Sequence, residues 1–292
     1  MNQNRIRKIG RVESEGDSLY YRVTGEGTPL VLIAGGGGDG DRFLPLADRM
    51  ADQYKVITYD RRANARSTMN HPDSFSIGQQ ARDILAIMDE LGVDSAYVFG
   101  NSSGAVIAME LMRLYPERVR GVIAHEPPVA RMHPDDKKWQ DFFRSCYRSS
   151  FRIGGASMAA WKFVFGIQVP VWQMTKAQLA ARRYASQVSQ GGEIPKEHRI
   201  PSKKATEFLI RKELLPITEY NFDSEFFRDK KNTFVIAAGT YAKENNTFLY
   251  QIAEALAEEC GSSVEIVPGH HVSFMDDPIG WAERLDEILK RM

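Results

Sequence analysis

The sequence predicts an α/β fold in which a mostly parallel sheet is covered by helices. Short, continuous apolar runs, such as residues 30–34, alternate with longer segments that have the period of amphipathic helices. Apolar runs of this kind are typical of strands buried on both faces, as in a parallel sheet. The length of 292 residues also suits one such domain, or one domain that carries a large insertion.

Eight strands are predicted along the chain. The first two form an antiparallel hairpin over residues 6–13 and 18–23, because their alternation is short and Glu15-Gly16-Asp17 is a turn signal between them. The other six are buried strands, at residues 30–34, 54–59, 96–99, 121–124, 233–238 and 264–267. Together these segments predict an eight-stranded, mostly parallel sheet.

One of the helices between these strands is predicted over residues 76–91. Ile84, Ile87 and Leu91 fall on one side of this helix and would face the sheet. Gly92 follows directly and is a stop signal, because glycine readily adopts the left-handed conformation that ends a helix. This helix and others like it would cover the faces of the sheet.

Residues 129–228 interrupt the alternation of strands and helices. No strand pattern occurs there, aromatic residues are frequent, and the helical periods are interrupted by glycine pairs and prolines. These interruptions are Gly154-Gly155, Gly191-Gly192, Pro195 and Pro201. The segment is predicted to be a helical cap inserted into a core formed by residues 1–128 and 229–292. A second, independent helical domain is the alternative, but the α/β pattern resumes directly afterwards, which favours a cap.

Composition excludes few classes of function but sets expectations about partners. Lys plus Arg and Asp plus Glu both number 38, so the total charge gives no reason to expect nucleic acid or a membrane as partner, although a local patch can lie within a neutral total. Cys146 and Cys260 lie in unrelated contexts, which suits a reducing compartment. The polar start and the absence of a long apolar stretch predict a cytoplasmic protein. A homodimer remains open.

The central chemical signal is Gly100-Asn101-Ser102-Ser103-Gly104, a G-x-S-x-G motif. A predicted strand precedes it and a helical pattern follows, as required for a sharp turn that exposes the Ser102 hydroxyl above the sheet. Glycines flank such a turn because side chains would clash with the neighbouring strand and helix. The alternative is a Gly-Ser loop that only turns the chain. The context favours Ser102 as a nucleophile.

Two backbone N–H groups are expected to stabilise the oxyanion of an acyl-transfer reaction. One belongs to Ser103, directly after the nucleophile. The other should come from the loop after the third strand, where four consecutive glycines, residues 35–38, allow N–H groups to face a ligand. Gly36 is the first choice for this donor, with Gly35 and Gly37 as rivals. A phosphate-binding loop is disfavoured because no G-K-[ST] sequence follows.

The general base should be a histidine after the last strand. His270 and His271 both follow residues 264–267, and His271 is preferred because Pro278 lies seven residues further on, as in the histidine loop of serine hydrolases with this chain order. No cluster of residues suggests a metal site, and no cofactor is expected.

These motifs resemble the α/β-hydrolase superfamily over nearly the whole chain. The resemblance is carried by residues 59–62, the serine motif, residues 115–119 and the histidine loop. It implies an α/β-hydrolase fold with a cap over the site. A serine at position 102 disfavours the haloalkane dehalogenases and epoxide hydrolases of this superfamily, which use an aspartate there.

The acid of the triad departs from the family pattern. The position after the seventh strand, where the family has G-x-x-D, reads Gly239-Thr240-Tyr241-Ala242 and has no carboxylate. Glu126, after the sixth strand, is the preferred substitute, because carboxyl ends of neighbouring strands meet at one edge of the sheet. Zearalenone-type lactonases are similar here, with a glutamate after the sixth strand. Glu244, or no acid at all, are the alternatives.

The hypothesis is a cofactor-free serine hydrolase that acts on a small apolar ester or lactone through an acyl-enzyme. A C–C bond hydrolase is one alternative, because enzymes of that class use the same serine turn. The other is a sensor that keeps the hydrolase fold and binds a small molecule with little turnover. The missing acid after the seventh strand is the feature that favours the sensor.

Overall fold

A computed structural model describes residues 7–188 and 199–292. Eight strands form one sheet. They are β1 (Arg7–Ser14), β2 (Asp17–Thr24), β3 (Thr28–Ile33), β4 (Tyr54–Tyr59), β5 (Ala96–Asn101), β6 (Val119–His125), β7 (Phe234–Gly239) and β8 (Glu265–Val267). All eight predicted strands are confirmed, with ends that differ by at most two residues. Ile6, the predicted first residue of β1, lies outside the described residues.

The sheet is mostly parallel, with strand order β1-β2-β4-β3-β5-β6-β7-β8. Only the pairs β1–β2 and β2–β4 are antiparallel. In this order β3, β5, β6 and β7 are consecutive neighbours, and their parallel register brings their carboxyl ends to one edge. Loops that follow these strands therefore meet at this edge, where α/β proteins bind their ligands.

Twelve α-helices accompany the sheet in the described residues. Those of the α/β alternation are α1 (Leu44–Met50), α2 (Ile77–Glu90), α3 (Ser103–Leu114), α10 (Thr240–Glu244), α11 (Phe248–Glu259) and α12 (Pro278–Leu289). The helix predicted over residues 76–91 is α2, and Ser76 caps it by accepting a hydrogen bond from the Gln79 N–H. Gly92 has a φ of 60°, so it ends the helix as predicted.

Between β6 and β7 every described regular element is helical. The helices are α4 (Asp136–Ser149), α5 (Gly155–Gly166), α6 (Val171–Val188), α7 (Ser202–Phe208), α8 (Leu214–Thr218) and α9 (Ser224–Arg228), with a π-helical turn at Leu209–Glu213. Of the predicted interruptions, Gly154 directly precedes α5 and Gly155 is its first residue, both with positive φ, and Pro201 precedes α7. Gly191, Gly192 and Pro195 lie outside the described residues.

The helices between β6 and β7 share hydrophobic packing with the rest of the chain. Phe143 and Ile210 from this segment belong to the same buried cluster as Val98 of β5 and Val106 of α3. The segment also lies close to the sheet edge where the loops meet, because α6 packs against the loops that follow β3 and β8. Among the described residues no helix has the length and apolar character needed to cross a membrane.

Candidate active site

Ser102 lies at the carboxyl end of β5, on the turn that leads into α3. Its backbone has a φ of 57° and a ψ of −121°, which is a strained conformation for a residue with a side chain. A Cβ on Gly100 would lie 2.2 Å from the Gly104 carbonyl oxygen, and a Cβ on Gly104 would lie 2.2 Å from that of Ile33. Both motif glycines are therefore required for the chain to turn so sharply beneath the serine.

His271 lies in the loop after β8, and Glu126 directly follows β6. The His271 Nδ1 is 2.5 Å from the Glu126 Oε2, and both side chains are buried. The other carboxylate oxygen accepts a hydrogen bond of 2.9 Å from the Gly239 N–H at the end of β7. This pairing commits Nδ1 and leaves the Nε2 of His271 as the ring nitrogen that can take a proton.

The backbone holds Glu126 in an unusual conformation. Its φ is 49°, and its N–H donates to the Ala237 carbonyl oxygen on β7. Pro127 and Pro128 follow and direct the chain away from the sheet. A non-glycine residue in the left-handed region is found mainly where the surrounding structure imposes it, and functional sites are common places for this strain.

Electrostatics keep Glu126 ionised. Burial alone would raise the pKa of its carboxyl. The His125 ring and the hydrogen bonds from His271 and Gly239 outweigh burial and lower that pKa to about 2. Burial lowers the pKa of the fully buried His125 to about 4, so this ring is neutral at pH 7. His271 is therefore the histidine that directly meets a carboxylate charge in this cluster.

Asn101 connects the two histidines. Its side-chain Nδ2 is 3.0 Å from the Nδ1 of His125 and donates a second hydrogen bond of 3.0 Å to the backbone oxygen of His271. Since an amide NH₂ only donates, the His125 Nδ1 accepts and its Nε2 carries the proton, 3.6 Å from a Glu126 oxygen. Sequence reasoning missed Asn101 and His125, although both directly neighbour residues that it selected.

The glycine loop after β3 lies against the serine. A Cβ on Gly35 would be 2.9 Å from the Ser102 Cβ, so only glycine fits there. Gly37 and Gly38 adopt φ values of 83° and 48°, which explains two further glycines of the run. Among the described residues neither the Gly36 N–H nor the Ser103 N–H has a backbone acceptor, and Ser103 is the first residue of α3. Both groups are thus available to a ligand.

Two arginines hold this loop through its carbonyl oxygens. The Arg61 Nη2 donates to the Gly35 oxygen at 2.8 Å, and the Arg42 Nη1 donates to the Gly36 oxygen at 2.7 Å. Arg61 is fully buried, and its Nη2 also pairs at 2.8 Å with Glu213 of the π-helical turn. Residues 59–62 were noticed in the sequence as part of the family pattern, but this link between the glycine loop and the helical segment was not anticipated.

The structure brings Glu126 and His271 into contact but shows no hydrogen bond between the third predicted catalytic residue, Ser102, and His271. No hydrogen bond joins the Ser102 hydroxyl to the His271 ring, although both residues are described. Such bonds are often long without substrate and tighten when it binds. The rival candidates lie elsewhere: Glu244 is exposed at the end of α10, and the His270 Nε2 is 3.5 Å from Asp276.

Part of the helical segment lies over the glycine loop. The Leu209 side chain of the π-helical turn covers Gly36, since a Cβ on this glycine would be 3.1 Å from the Leu209 Cδ2. On another side, α6 packs against the loops that contain Gly40 and Ser273. The surface next to the candidate oxyanion donor is thus apolar.

Known proteins share this fold and much of the sequence pattern. A family model described as alpha/beta hydrolase fold matches residues 28–278. The chain belongs to this family. The uncharacterized hydrolase YraK of Bacillus subtilis is 28% identical over 284 residues, which cover 97% of this chain and 96% of that protein. Membership of the α/β-hydrolase family and these named relatives make the chain a hydrolase of the α/β fold.

Two further proteins are also similar to this chain. A zearalenone hydrolase of Cladophialophora bantiana is 38% identical over 120 residues, or 40% of this chain and 45% of that protein. Among solved structures, the enol-lactonase from Burkholderia xenovorans superposes with a TM-score of 0.69 at 17% identity, over 96% of this chain and 100% of that one. The likeness to the enol-lactonase concerns the fold alone.

Proposed function

We propose that this hydrolase cleaves carboxylic esters or lactones through an acyl-enzyme on Ser102. The contact of 2.5 Å between the His271 Nδ1 and Glu126 carries the proposal, because it orients a base whose backbone is bound by Asn101, the residue next to the half-buried Ser102. The His271 Nε2 takes the hydroxyl proton as the Ser102 oxygen attacks the substrate carbonyl, and then gives this proton to the leaving alkoxide. Water activated by the same nitrogen then releases the acid and restores the serine.

The Gly36 and Ser103 N–H groups are proposed to bind the oxyanion. Both lie next to Ser102 and lack a backbone acceptor among the described residues. Glu126 remains an anion throughout, since the low pKa of its carboxyl favours stabilising the His271 imidazolium over taking its proton. A carboxylate directly after β6 can in this way replace the one that the family pattern has after β7.

The proposed substrate is apolar. Leu209 covers the donor Gly36, so the substrate portion beside the oxyanion would meet an apolar surface. The relative from Cladophialophora bears the name zearalenone hydrolase, and the pattern around Glu126 resembles lactonases of that type. Both points support an ester or lactone with a bulky hydrocarbon portion. The helices of residues 129–228 are proposed to form the cap of the site.

An active-site label tests the proposal directly. A fluorophosphonate should modify the protein in a single stoichiometric step, and peptide mapping should find the label on Ser102, whose Cβ lies against the glycine loop and whose neighbour Asn101 binds the His271 backbone. The unlabelled protein should hydrolyse p-nitrophenyl butyrate with a burst of p-nitrophenol. A label on Ser103, or ester binding without turnover, would contradict the proposed chemistry, and the second result would favour a sensor.

The arginines on the glycine loop provide a test of the second oxyanion donor. In a trans peptide the C=O and N–H point in opposite directions, so Arg61, which binds the Gly35 oxygen, fixes the direction of the Gly36 N–H. We expect Arg61→Gln combined with Glu213→Gln, which leaves no unpaired buried charge, to lower kcat by about 10- to 100-fold with little change in KM. Steady-state kinetics measure this effect.

Arg42→Gln is the matched control for this prediction. Arg42 binds the Gly36 oxygen, whose peptide carries the N–H of Gly37, so its loss should change kcat by less than about threefold. Affinity for a trifluoromethyl ketone, which forms a tetrahedral adduct with serine, should fall in parallel with kcat in the double variant. A larger loss in Arg42→Gln than in the double variant would identify Gly37 as the donor and refute Gly36.

A further inference from the structure

The positive charges of this neutral chain are concentrated in part of the helical segment. Residues 142–188 contain seven Lys or Arg and no Asp or Glu, although the whole chain has 38 of each sign. The basic residues are Arg144, Arg148, Arg152, Lys162, Lys176, Arg182 and Arg183, and all seven are exposed. The rest of the chain therefore has a net negative charge, whereas this segment has a net charge of +7 that would attract an anionic partner.

The same segment also carries most of the exposed apolar side chains. Ten large apolar residues are exposed in the described part of the chain, and seven of them lie between residues 151 and 179. Soluble domains rarely expose large contiguous apolar patches, so such a concentration of exposed apolar residues along the chain marks a candidate interaction surface. The basic residues and the exposed apolar residues thus lie in the same segment, and this combination indicates an interaction surface more specifically than either feature alone.

The clearest part of this surface is on α5 and the loop before it, which we call the α5 face. Met158, Trp161 and Phe165 follow at helical spacing and are 62%, 55% and 65% exposed, while the alanines at 156 and 159 face inward. The rings of Trp161 and Phe165 are stacked with centroids 5.7 Å apart. The Met158 Sδ would lie 2.2 Å from a Cβ on Gly154, so this side chain continues the face onto the loop.

The loop before α5 extends the apolar surface. Phe151 is 61% exposed and Ile153 is 97% exposed, which are high values for residues of this type. Arg148 lies in the last turn of α4, Arg152 lies between Phe151 and Ile153 in the loop, and Lys162 follows Trp161 on α5. The α5 face is therefore defined by five apolar residues and three cations: Phe151, Ile153, Met158, Trp161 and Phe165, with Arg148, Arg152 and Lys162.

We infer that the α5 face docks onto an anionic lipid surface. Exposed aromatic and aliphatic side chains next to Arg and Lys are the combination with which helices insert into the interface of a bilayer. The aromatic rings and Ile153 would enter the headgroup region, while the cations would contact lipid phosphates or carboxylates. The negative charge of such a lipid surface complements the three cations of the α5 face, which an uncharged apolar partner would not do.

A second copy of the chain is a poorer occupant of the α5 face. In a two-fold symmetric dimer the same patch lies on both sides of the interface, so the cations of one copy would face those of the other. Like charges brought together in this way oppose association. An anionic bilayer has no such penalty, and its attraction adds to the burial of the apolar side chains.

Docking at this face would bring the lipid surface close to the candidate active site. The helix α6, which follows α5 along the chain, packs against the loops after β3 and β8. The helix α5 itself packs against the π-helical turn whose Leu209 covers Gly36. If the proposed function holds, docking at the α5 face would therefore bring an apolar ester dissolved in the bilayer close to the helices around the candidate active site. The docking itself depends on the α5 face and not on the chemistry of Ser102.

Co-flotation with lipid vesicles tests the inference on the intact chain. The wild type should float with phosphatidylcholine vesicles that contain phosphatidylserine, should not float with pure phosphatidylcholine, and should be released by salt, because screening weakens attraction between exposed charges. Arg148→Glu with Arg152→Glu should lower the ratio of bound to free protein by about tenfold or more. Trp161→Ser with Phe165→Ser should have an effect of similar size.

Matched controls replace exposed residues away from the α5 face. Ile279→Ser removes another half-exposed aliphatic residue, on α12, and Lys231→Glu reverses an exposed cation before β7. Both controls should float like the wild type, and all variants should hydrolyse a soluble ester at the wild-type rate. A soluble wild type that does not bind anionic vesicles overturns the inference, even if every ester assay succeeds. A different result would identify a second copy of the chain as the occupant. In that case the wild type would be a dimer, and the variant with Trp161→Ser and Phe165→Ser would be a monomer.

Discussion

Replacing Ser102 by alanine is expected to lower kcat by about 10⁴- to 10⁶-fold while the fold remains intact. His271→Ala should cost almost as much, because the hydroxyl is a weak nucleophile until a base removes its proton. The double variant should be no slower than either single variant, since nucleophile and base act as a unit. Ester hydrolysis at saturating substrate measures the effect, and thermal unfolding monitors the fold.

His270→Ala is the control for this prediction. The His270 ring lies beside Asp276, and its Nδ1 is 3.4 Å from the Val272 N–H, so it supports the loop without contacting Glu126. This variant should retain most of its turnover. Loss of activity in His270→Ala, with activity kept in His271→Ala, would exchange the roles of the two histidines.

Glu126→Gln is expected to lower kcat by about 10²- to 10⁴-fold with KM little changed. The amide oxygen can still accept the hydrogen bond from the Gly239 N–H. Its NH₂ would then donate to the His271 Nδ1 and so place the ring proton on Nε2, which could no longer take the serine proton. The neutral amide would also fail to stabilise an imidazolium.

Glu244→Gln is the companion experiment, because Glu244 is exposed and was the rival acid in the sequence. Its turnover should equal that of the wild type. A purely structural Glu126 would show a different pattern, in which Glu126→Gln lowers the melting temperature but leaves kcat near normal. That pattern would refute the proposed triad without affecting the membership of the chain in its family.

The sequence was sufficient for most of the fold because periodicity and turn chemistry are local signals. The eight strands, the hairpin turn at Gly16 and the helix that begins after Ser76 all follow from short windows of residues. The glycines around Ser102 were predictable for the same reason, since the steric demand of the turn is encoded next to the nucleophile. Glu126 could be selected because consecutive parallel strands end at one edge.

What the sequence could not supply were contacts between distant segments. Asn101 was treated as an unspecified position of the serine motif, yet it bridges His125 and the backbone of His271, which is 170 residues away. The pair of Arg61 and Glu213 spans 152 residues and depends on how the helical segment packs on the glycine loop. No local pattern encodes such pairs, so side-chain partners at this range require the structure.

Because the proposed acid directly follows β6, the segment after β7 does not have to supply a carboxylate to the triad. β7 binds Glu126 through two backbone groups, the Gly239 N–H and the Ala237 carbonyl oxygen, and any residue except proline can supply both kinds of group. Gly239 itself must remain, because a Cβ there would lie 2.5 Å from the Gly269 oxygen. Beyond it, Ala242 is buried and has to fit its surroundings, but no residue of α10 has to ionise. Homologues with the same arrangement should therefore drift in sequence along α10 while the glutamate after β6 stays fixed.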